Sequence, residues 1–473
     1  MFLFLPMSIA VYYCLFKSRR LQNTFLLIAS LVFYAWGDGI YIGLLAAAII
    51  ENYCLGIWVE YARDNKKHIS FSISVSVLFN LAILFAFKYV PFVVTNINYL
   101  LPQPIPVPNI PFPIGISFYT FQAISYLVDV KRGRVKAQKN FVNLGLYIAF
   151  FPRVVSGPIV RYQTMEAQLD DRKETFEDFF QGVCRFSIGF AKKAILAGSL
   201  FEVVNAAFST QPSELSVAMA WLGMFASSFY IYFDFSGYSD MAIGLGKMFG
   251  FNMPENFNYP YISTSIAEYW RRWHITMGHW FKDYVFLPVT LSKRVKCYPF
   301  TKKLMPVTKR ITIAMFVVWL CTGIWHGAEW TFVIWGLYYF FLMQLEKYFP
   351  KFKLNWINAA YGFIFTQLAV KLGQILIRSA NITAAGQYYL NLLGLKGAQF
   401  IDNDFIRYIN EDKWVLIVCV FASMPTVQFM LKYIKMNKKI QDAVYSVWIV
   451  IIFVIALAYM IQQGYIPVIY GKY

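Results

Sequence analysis

Apolar stretches alternate along this chain with short basic or polar linkers. Twelve stretches are long enough for a helix, and most approach the roughly 20 apolar residues that cross a bilayer as a helix. They lie at about residues 1–16, 21–37, 40–61, 69–90, 113–130, 176–207, 215–245, 311–328, 331–345, 354–377, 414–431 and 441–463. The pattern predicts an all-α polytopic membrane protein with about 11–12 transmembrane helices.

The basic residues are concentrated in six linkers. An even number of apolar stretches lies between each linker and the next. These linkers lie at residues 17–20, 63–67, 131–136, 267–310, 347–353 and 432–439. Because lysine and arginine favour the cytoplasmic side of a membrane, we expect all six linkers there and both chain termini outside. The loops around 102–113 and 402–412 then also lie outside.

Composition supports the membrane class and excludes one alternative. The chain of 473 residues is 58% hydrophobic and 14% charged, whereas soluble domains carry about 25% charged residues. The formal charge of +18 would suggest nucleic acid as a partner in a soluble protein. Here the positive charge lies in short linkers between apolar stretches, so we expect no nucleic-acid binding.

Two stretches do not match a simple crossing. Residues 141–160 are interrupted by Pro152 and Pro158 and are predicted to form a re-entrant segment that protein or a water-filled cavity covers. Residues 266–288 place tryptophans on one face of a predicted amphipathic helix at the cytoplasmic interface. His274 lies on that face, although the tryptophans alone can be explained as interfacial anchors.

Two histidines are the candidates for acid–base chemistry. His274 lies on the tryptophan face, and His326 ends an apolar segment between Gly323 and Gly327. An ionisable side chain at membrane depth is costly and usually faces a cavity or a partner. The alternative for His326 is a histidine that is merely hydrogen-bonded at a helix end. Asp240 also interrupts an apolar run, where a helix–helix hydrogen bond is the alternative to a role in a site.

Motifs of several other classes are missing. The sequence contains no P-loop, no dinucleotide fingerprint, no H-E-x-x-H motif and no serine-hydrolase elbow. We therefore expect no metal and no bound cofactor.

Six stretches in order along the chain resemble the membrane-bound O-acyltransferase family. They lie at residues 113–130, 150–162, 233–246, 254–261, 270–274 (W-R-R-W-H) and 325–331 (W-H-G-A-E-W-T). The resemblance is nearest to the bacterial alginate O-acetyltransferase branch and more distant to the teichoic-acid D-alanyl transfer branch. The segment V-T-L-S-K-R-V after Leu287-Pro288 departs from the glycine-rich, basic turn that is usual in the alginate branch.

The resemblance implies a fold and an active site. The fold is one integral membrane domain over residues 1–473, with a motif core at about 113–340. Tilted helices with re-entrant and interfacial segments surround a central tunnel that reaches both faces. It implies that His326 is catalytic and that His274 is a second active-site group. The residues expected to line the tunnel near the histidines are Trp325, Trp273, Trp270, Arg271, Asp240 and Glu329.

The implied reaction transfers an acyl group, most readily acetyl, across a bacterial cell membrane. The donor is a cytoplasmic thioester, either acetyl-CoA or an acyl-carrier protein, and the acceptor is a polysaccharide hydroxyl outside. An extracytoplasmic esterase-like transferase is the expected partner, and membrane lipid surrounds the chain. Four basic residues are expected to attract the donor, or else only to fix the topology: Lys282, Lys293, Arg294 and Lys296. D-alanyl transfer to teichoic acid, and a transporter or flippase, remain as alternatives.

Overall fold

The computed structural model describes residues 3–211, 213–297, 304–349, 354–395, 399–433 and 437–464. Within these ranges the regular elements are helices, and the one pairing of strand type is an isolated antiparallel bridge between Cys297 and Leu304. The predicted all-α class is therefore confirmed.

The helices of the first half of the chain are α1 Phe4–Cys14, α2 Arg19–Asp38, α3 Ile42–Asp64, α4 Ile69–Lys88, α5 Val90–Asn98, α6 Ile116–Lys131, α7 Phe141–Ala149, α8 Tyr162–Asp170, α9 Phe176–Ala191, α10 Gly198–Ser209 and α11 Val217–Met248. The helices that follow are α12 Ile266–Arg272, α13 Ile275–Phe281, α14 Leu287–Leu291, α15 Lys293–Lys296, α16 Val307–His326, α17 Trp330–Leu345, α18 Asn355–Arg378, α19 Ile382–Leu392, α20 Asn403–Ala422, α21 Thr426–Tyr433 and α22 Lys438–Gln463. Short π-helical segments lie at Lys192–Ala197 and Lys282–Phe286, and 3₁₀ turns at Gly39–Tyr41, Pro260–Ile262 and Glu346–Tyr348.

Within the described ranges, five helical stretches are long and apolar enough to cross a membrane. They are Arg19–Asp64, Ile69–Lys88, Val307–His326, Asn355–Arg378 and Ile440–Gln463. Large apolar side chains on the outer faces of these and other helices are exposed, as at Trp414 and Val450. Such an apolar surface suits lipid as the surrounding medium. The predicted number of crossings and the outside position of the termini stay predictions.

The described chain clusters into two compact units. The first unit contains residues 3–186 and 239–254, and the second contains residues 187–238 and 255–464. The expectation of one membrane domain over residues 1–473 stays a prediction.

The first unit is built around α6 and α7. Nearly every residue of α6 is buried, and α7 is buried from Asn143 to Ala149. The predicted re-entrant stretch 141–160 is a short helix followed by a non-helical segment that contains both prolines. Gly115 has a φ of 76°, and a Cβ there would lie 2.2 Å from the Val154 carbonyl oxygen. Glycine therefore permits the backbone at the start of α6 to touch this buried segment.

An arginine in the first unit joins α1, α2 and the chain after α8. Arg172 Nε donates to the Tyr12 hydroxyl and to the Phe249 carbonyl, both at 3.0 Å. Its Nη1 donates to Asn23 Oδ1 at 2.8 Å, and Glu174 lies 3.7 Å from Nε. Glu174 also accepts hydrogen bonds from Tyr12 and Arg19. We call these five residues, Arg172, Glu174, Tyr12, Arg19 and Asn23, the arginine hub.

The second unit is organised by the antiparallel pair α16 and α17. A Cβ on Gly323 would lie 2.5 Å from the Phe332 carbonyl oxygen, and a Cβ on Gly336 would lie 2.4 Å from the Trp319 carbonyl oxygen. The two backbones therefore cross in direct contact at these glycines, and α18 packs beside α17.

The predicted boundaries fail near the end of the second unit. The stretch 402–412, predicted as an outer loop, is mostly helical because Asp402 caps the start of α20 by accepting from Phe405 N at 2.7 Å. The predicted apolar stretch 414–431 is divided between α20 and α21. Pro425 lies in the break, as expected for a residue that cannot donate a backbone hydrogen bond.

Candidate active site

The W-R-R-W-H segment is two short helices rather than one. The predicted continuous helix over residues 266–288 is wrong, because α12 ends at Arg272 and α13 begins at Ile275. The segment before α12 supplies the competing hydrogen bonds. Asn258 N donates to the Arg272 carbonyl at 2.9 Å, and Ile275 N donates to the Asn256 carbonyl at 2.9 Å. His274 lies at the break with φ 45° and ψ 52°, a left-handed conformation that is uncommon outside glycine.

Asn256 fixes the ring of His274. His274 Nδ1 lies 3.0 Å from Asn256 Oδ1, and the Thr276 hydroxyl and backbone N–H donate to the same oxygen at 2.9 and 3.3 Å. An atom that accepts from a backbone N–H is the amide oxygen, so His274 Nδ1 carries the proton. The lone pair of the neutral ring is then on Nε2.

The environment of His274 disfavours its charged form. The residue is fully buried, and the Phe235 ring meets it edge-on with centroids 4.7 Å apart. Burial holds the pKa of His274 well below its ordinary value, and nearby His326 lowers it further. His274 is therefore a neutral imidazole held in one tautomer.

His326 is the last residue of α16 and lies among tryptophan rings. Its centroid is 4.9 Å from that of Trp325 and 4.8 Å from that of Trp335. The crossing at Gly323 and Gly336 brings α17, and with it Trp335, against this end of α16. The side chain of His326 is half-buried.

One tryptophan joins the two predicted histidines. The Trp325 ring contacts His326 and lies 6.2 Å from the His274 ring between centroids. Residues 52 positions apart in the sequence therefore belong to one cluster. We call His274, His326, Trp325, Trp335 and Trp270 the histidine cluster.

Two more of the predicted lining tryptophans lie in or beside this cluster. Trp270 meets Trp335 with centroids 5.6 Å apart, and Trp273 is buried against Tyr269 and Phe257.

Three polar residues are also predicted to line the tunnel. Arg271 is exposed, and Glu329 is an exposed residue that precedes α17, where partial burial raises the pKa of its carboxyl group. Asp240 belongs to the first unit, where its carboxylate pairs with Arg185 Nη2 at 2.6 Å. A role for these three residues in lining the tunnel stays a prediction.

The expected donor-docking residues are partly described. Lys282, on a π-helical segment, and Lys296, at the end of α15, are exposed. The side chains of Lys293 and Arg294 lie outside the described residues.

The sequence analysis missed Asn256, Trp335 and Thr331. Asn256 lies in the quoted stretch 254–261, but only the fold brings its side chain to His274. Trp335 follows His326 by nine residues on the next helix, and Thr331 lies one turn before it. Their relation to His326 depends on the close crossing of α16 and α17.

Three buried donors on or near Trp335, the ring that contacts His326, make no hydrogen bond within the described part of the chain. They are Trp270 Nε1, Trp335 Nε1 and Thr331 Oγ1. By contrast, Trp221 donates to the Leu392 carbonyl at 3.0 Å and Trp319 to Met343 Sδ at 3.2 Å. Buried indole N–H groups usually find an acceptor, so these atoms are suited to an acceptor that a ligand brings. Among the described residues no group of three or more His, Cys, Asp or Glu could hold a metal ion.

Residues 135–358 match the family model MBOAT, membrane-bound O-acyltransferase family. Both histidines lie inside this match. The chain is 36% identical over 393 residues to a probable alginate O-acetylase of Azotobacter vinelandii, which covers 82% of this chain and 76% of the relative.

The names of two further relatives give other polymers as their substrates. A peptidoglycan O-acetyltransferase of Helicobacter pylori is 29% identical over 464 residues, or 90% of this chain and 85% of the relative. A teichoic acid D-alanyltransferase of Bacillus subtilis is 33% identical over 251 residues, or 52% of this chain and 62% of the relative.

Proposed function

Because this chain belongs to the membrane-bound O-acyltransferase family, we propose that it transfers an acetyl group from a cytoplasmic thioester to hydroxyl groups of an extracytoplasmic polysaccharide. The chain is an O-acyltransferase of the membrane. Donor, direction and acceptor belong to the proposal.

The observation that carries the proposal is the meeting of His274 and His326 around Trp325. A neutral imidazole can take a proton from a hydroxyl group, and His326 is the half-buried one of the two. The acceptor oxygen attacks the thioester carbonyl carbon as its proton passes to His326. The C–S bond then breaks, and the proton passes to the leaving sulfur. General-base catalysis of this kind contributes about 10²–10⁴-fold to the rate.

The buried donors beside His326 have a role in the same step. Negative charge develops on the carbonyl oxygen during attack, and preorganised donors in a dry site stabilise it. Trp335 Nε1 and the hydroxyl of Thr331 lie four residues apart on α17, on one face of the helix. We assign them to the oxyanion. His274 is assigned to orienting the thioester.

The relatives favour acetyl over D-alanyl. The two O-acetyl-transferring relatives cover more than four-fifths of this chain, whereas the D-alanyltransferase covers about half. The exposed Lys282 and Lys296 suit an acidic donor such as coenzyme A or a carrier protein. The acetyl group reaches the polysaccharide through an esterase-like transferase outside the membrane, and residues 91–112 and 378–413, which include most of α5 and all of α19, are its assigned docking region.

The test compares ester-linked acetate on cell-envelope polysaccharide between the wild type and His326→Ala at equal membrane abundance. We expect acetate to fall at least about 10²-fold in the variant. The matched control is His279→Ala, an exposed histidine on α13. Unchanged acetate in His326→Ala would remove His326 as the base. Absence of acetate in the wild type, with ester-linked D-alanine present, would establish the second candidate, D-alanyl transfer.

A further inference from the structure

Helix α18 carries a file of polar side chains on a membrane-spanning helix. Gln367, Lys371, Gln374 and Arg378 are spaced at i, i+4, i+7 and i+11, which places them on one face. Lys371 is 6% exposed, and Gln374 is 5% exposed. Ionisable side chains in such helices face a cavity or a binding partner as a rule, yet neither cation belongs to the histidine cluster.

Aromatic rings rather than carboxylates surround both cations. The Lys371 ammonium lies 5.0 Å from the centroid of Tyr261 and 5.5 Å from that of Phe225. The Arg378 guanidinium lies 5.5 Å from Tyr230 and 5.9 Å from Phe208. Among the residues that the structure describes, no carboxylate lies within 4.0 Å of either cation.

Another buried lysine of the same unit has a carboxylate partner. Lys193 on the π-helical segment pairs directly with Asp234. Cation–π contacts offset only part of the loss of hydration that a buried charge suffers. The face of α18 therefore has net positive charge that the described protein leaves unneutralised.

The same face has donors in excess of acceptors. The Lys371 ammonium has three N–H groups and one described acceptor, Gln367 Oε1 at 3.0 Å. Arg378 Nε and Gln367 Nε2 are buried and make no hydrogen bond to described residues. Two cations and an amide donor in one file match the several acceptor oxygens of a phosphate group. Gln374 Oε1 is a buried acceptor that also lacks a described donor, which suits a headgroup with hydroxyl groups.

An apolar groove adjoins this file. It has a volume of about 800 Å³ and lies between α11, α19 and α20, and each of its lining residues is apolar or glycine. Phe225 lines the groove and also contacts Lys371. Phe229 lines it too and meets Tyr261, the second ring at Lys371, with centroids 5.9 Å apart. A hydrocarbon-lined groove beside a buried cationic file matches a ligand with an acyl chain and a phosphate.

We propose that the second unit binds an anionic phospholipid of the surrounding bilayer here. The acyl chain lies in the groove, and the phosphate is held by Lys371 and Arg378. Basic pockets between membrane helices recognise anionic headgroups in this way. The proposal does not depend on the proposed acetyl transfer, because the site shares no residue with the histidine cluster.

The test measures lipid retained by the purified full chain. The protein is reconstituted in nanodiscs of phosphatidylcholine with phosphatidylglycerol, and bound lipid is counted by native mass spectrometry after detergent release. We expect selective retention of phosphatidylglycerol, reduced about tenfold in affinity by Lys371→Gln or Arg378→Gln. Leu416→Trp fills the groove without changing charge and should reduce retention as well. The matched control is Arg407→Gln, an exposed arginine beside Asp404 on α20.

Three results would overturn the proposal. Equal retention of the two lipids would show that charge is not recognised. An equal loss in Arg407→Gln would show that only the bulk charge of the protein matters. Displacement by glycerol phosphate as effective as displacement by lipid would show a site for a soluble anion. Thermal unfolding in phosphatidylcholine alone serves as the folding control, because removing an unneutralised buried cation should leave stability unchanged or higher.

Discussion

The arginine hub of the first unit and the histidine cluster of the second are both buried and polar, but their hydrogen-bonding groups are used differently. Arg172 uses all of its nitrogens except Nη2 within the described protein, on a hydroxyl, two carbonyls and an amide, with Glu174 beside it. In the histidine cluster, the indole N–H groups of Trp270 and Trp335 make no hydrogen bond within the described chain, and neither does the hydroxyl of Thr331, one turn before Trp335. Paired groups hold helices together, whereas groups left open are available to a ligand.

If this contrast is correct, removing a hub residue should act on stability. Arg172→Met removes four hydrogen bonds, and a buried acceptor left unsatisfied costs about 1–3 kcal/mol, so the free energy of unfolding should fall by at least that much. Acetyl transfer per folded molecule should stay unchanged. Thermal unfolding in detergent and activity at matched folded concentration measure the two effects. Loss of activity without loss of stability would contradict the contrast.

Removing an open donor should have the opposite outcome. Trp335→Phe retains an aromatic ring but removes the N–H, and loss of one oxyanion donor lowers kcat by about 10²–10³-fold. Stability should change little, because the N–H makes no described hydrogen bond in the folded protein.

The matched control is Trp319→Phe, whose N–H donates to Met343 Sδ in the same aromatic region. It should keep its kcat. Equal kinetic loss in both variants would show that ring packing, rather than the N–H of Trp335, matters.

Asn256 is intermediate between the hub residues and the donors without a hydrogen bond. Its side chain is hydrogen-bonded within the protein, but it positions a histidine of the candidate site. Asn256→Ala removes the acceptor of His274 Nδ1, and a buried donor left unsatisfied costs about 1–3 kcal/mol. The kcat of acetyl transfer should fall while KM stays nearly unchanged. The pH profile of kcat should also change, because the His274 tautomer is no longer fixed. Asn256→Asp, which keeps the acceptor, should recover part of the rate. A change in stability alone, with an unchanged pH profile, would assign Asn256 to folding only.

The smallest expected effect is the pH dependence of the hub. Burial raises the pKa of Glu174, but hydrogen bonds from Arg19 and Tyr12 and the charges of Arg19 and Arg172 outweigh it, and the net pKa is lowered. A lowered pKa in the folded state stabilises the protein above the unfolded value of about 4.3. This contribution should be lost as the pH falls from there through the folded pKa. Unfolding midpoints of wild type and Glu174→Gln should converge in that range, and parallel curves would contradict the linkage.

Periodicity predicted the helical class and most helices, because apolar runs leave a membrane chain few other structures. Periodicity failed where backbone groups that are distant in the sequence compete for the hydrogen bonds of a helix. The break at His274 depends on residues 256–258, whose carbonyl and N–H groups take the hydrogen bonds of residues 272 and 275. A pattern within 266–288 contains no sign of that competition.

The site was predicted in the same uneven way. The family motifs led to His274, His326, Trp325 and Trp270, and the structure brings these four residues into one cluster with Trp335. Arg271 and Glu329 are exposed, and Asp240 pairs with Arg185, so a role for these three residues in the tunnel stays a prediction. Trp335 was not predicted, because its position depends on two glycines that let α17 touch α16.

The glycine crossing at Gly323 and Gly336 also restricts how the site can open. With the two backbones in contact, a relative shift of α16 and α17 would separate or collide main-chain atoms, so the pair moves as one body. His326 on α16 and Trp335 on α17 therefore keep their spacing when the pair moves. Any opening of the site therefore has to come from elements other than this helix pair.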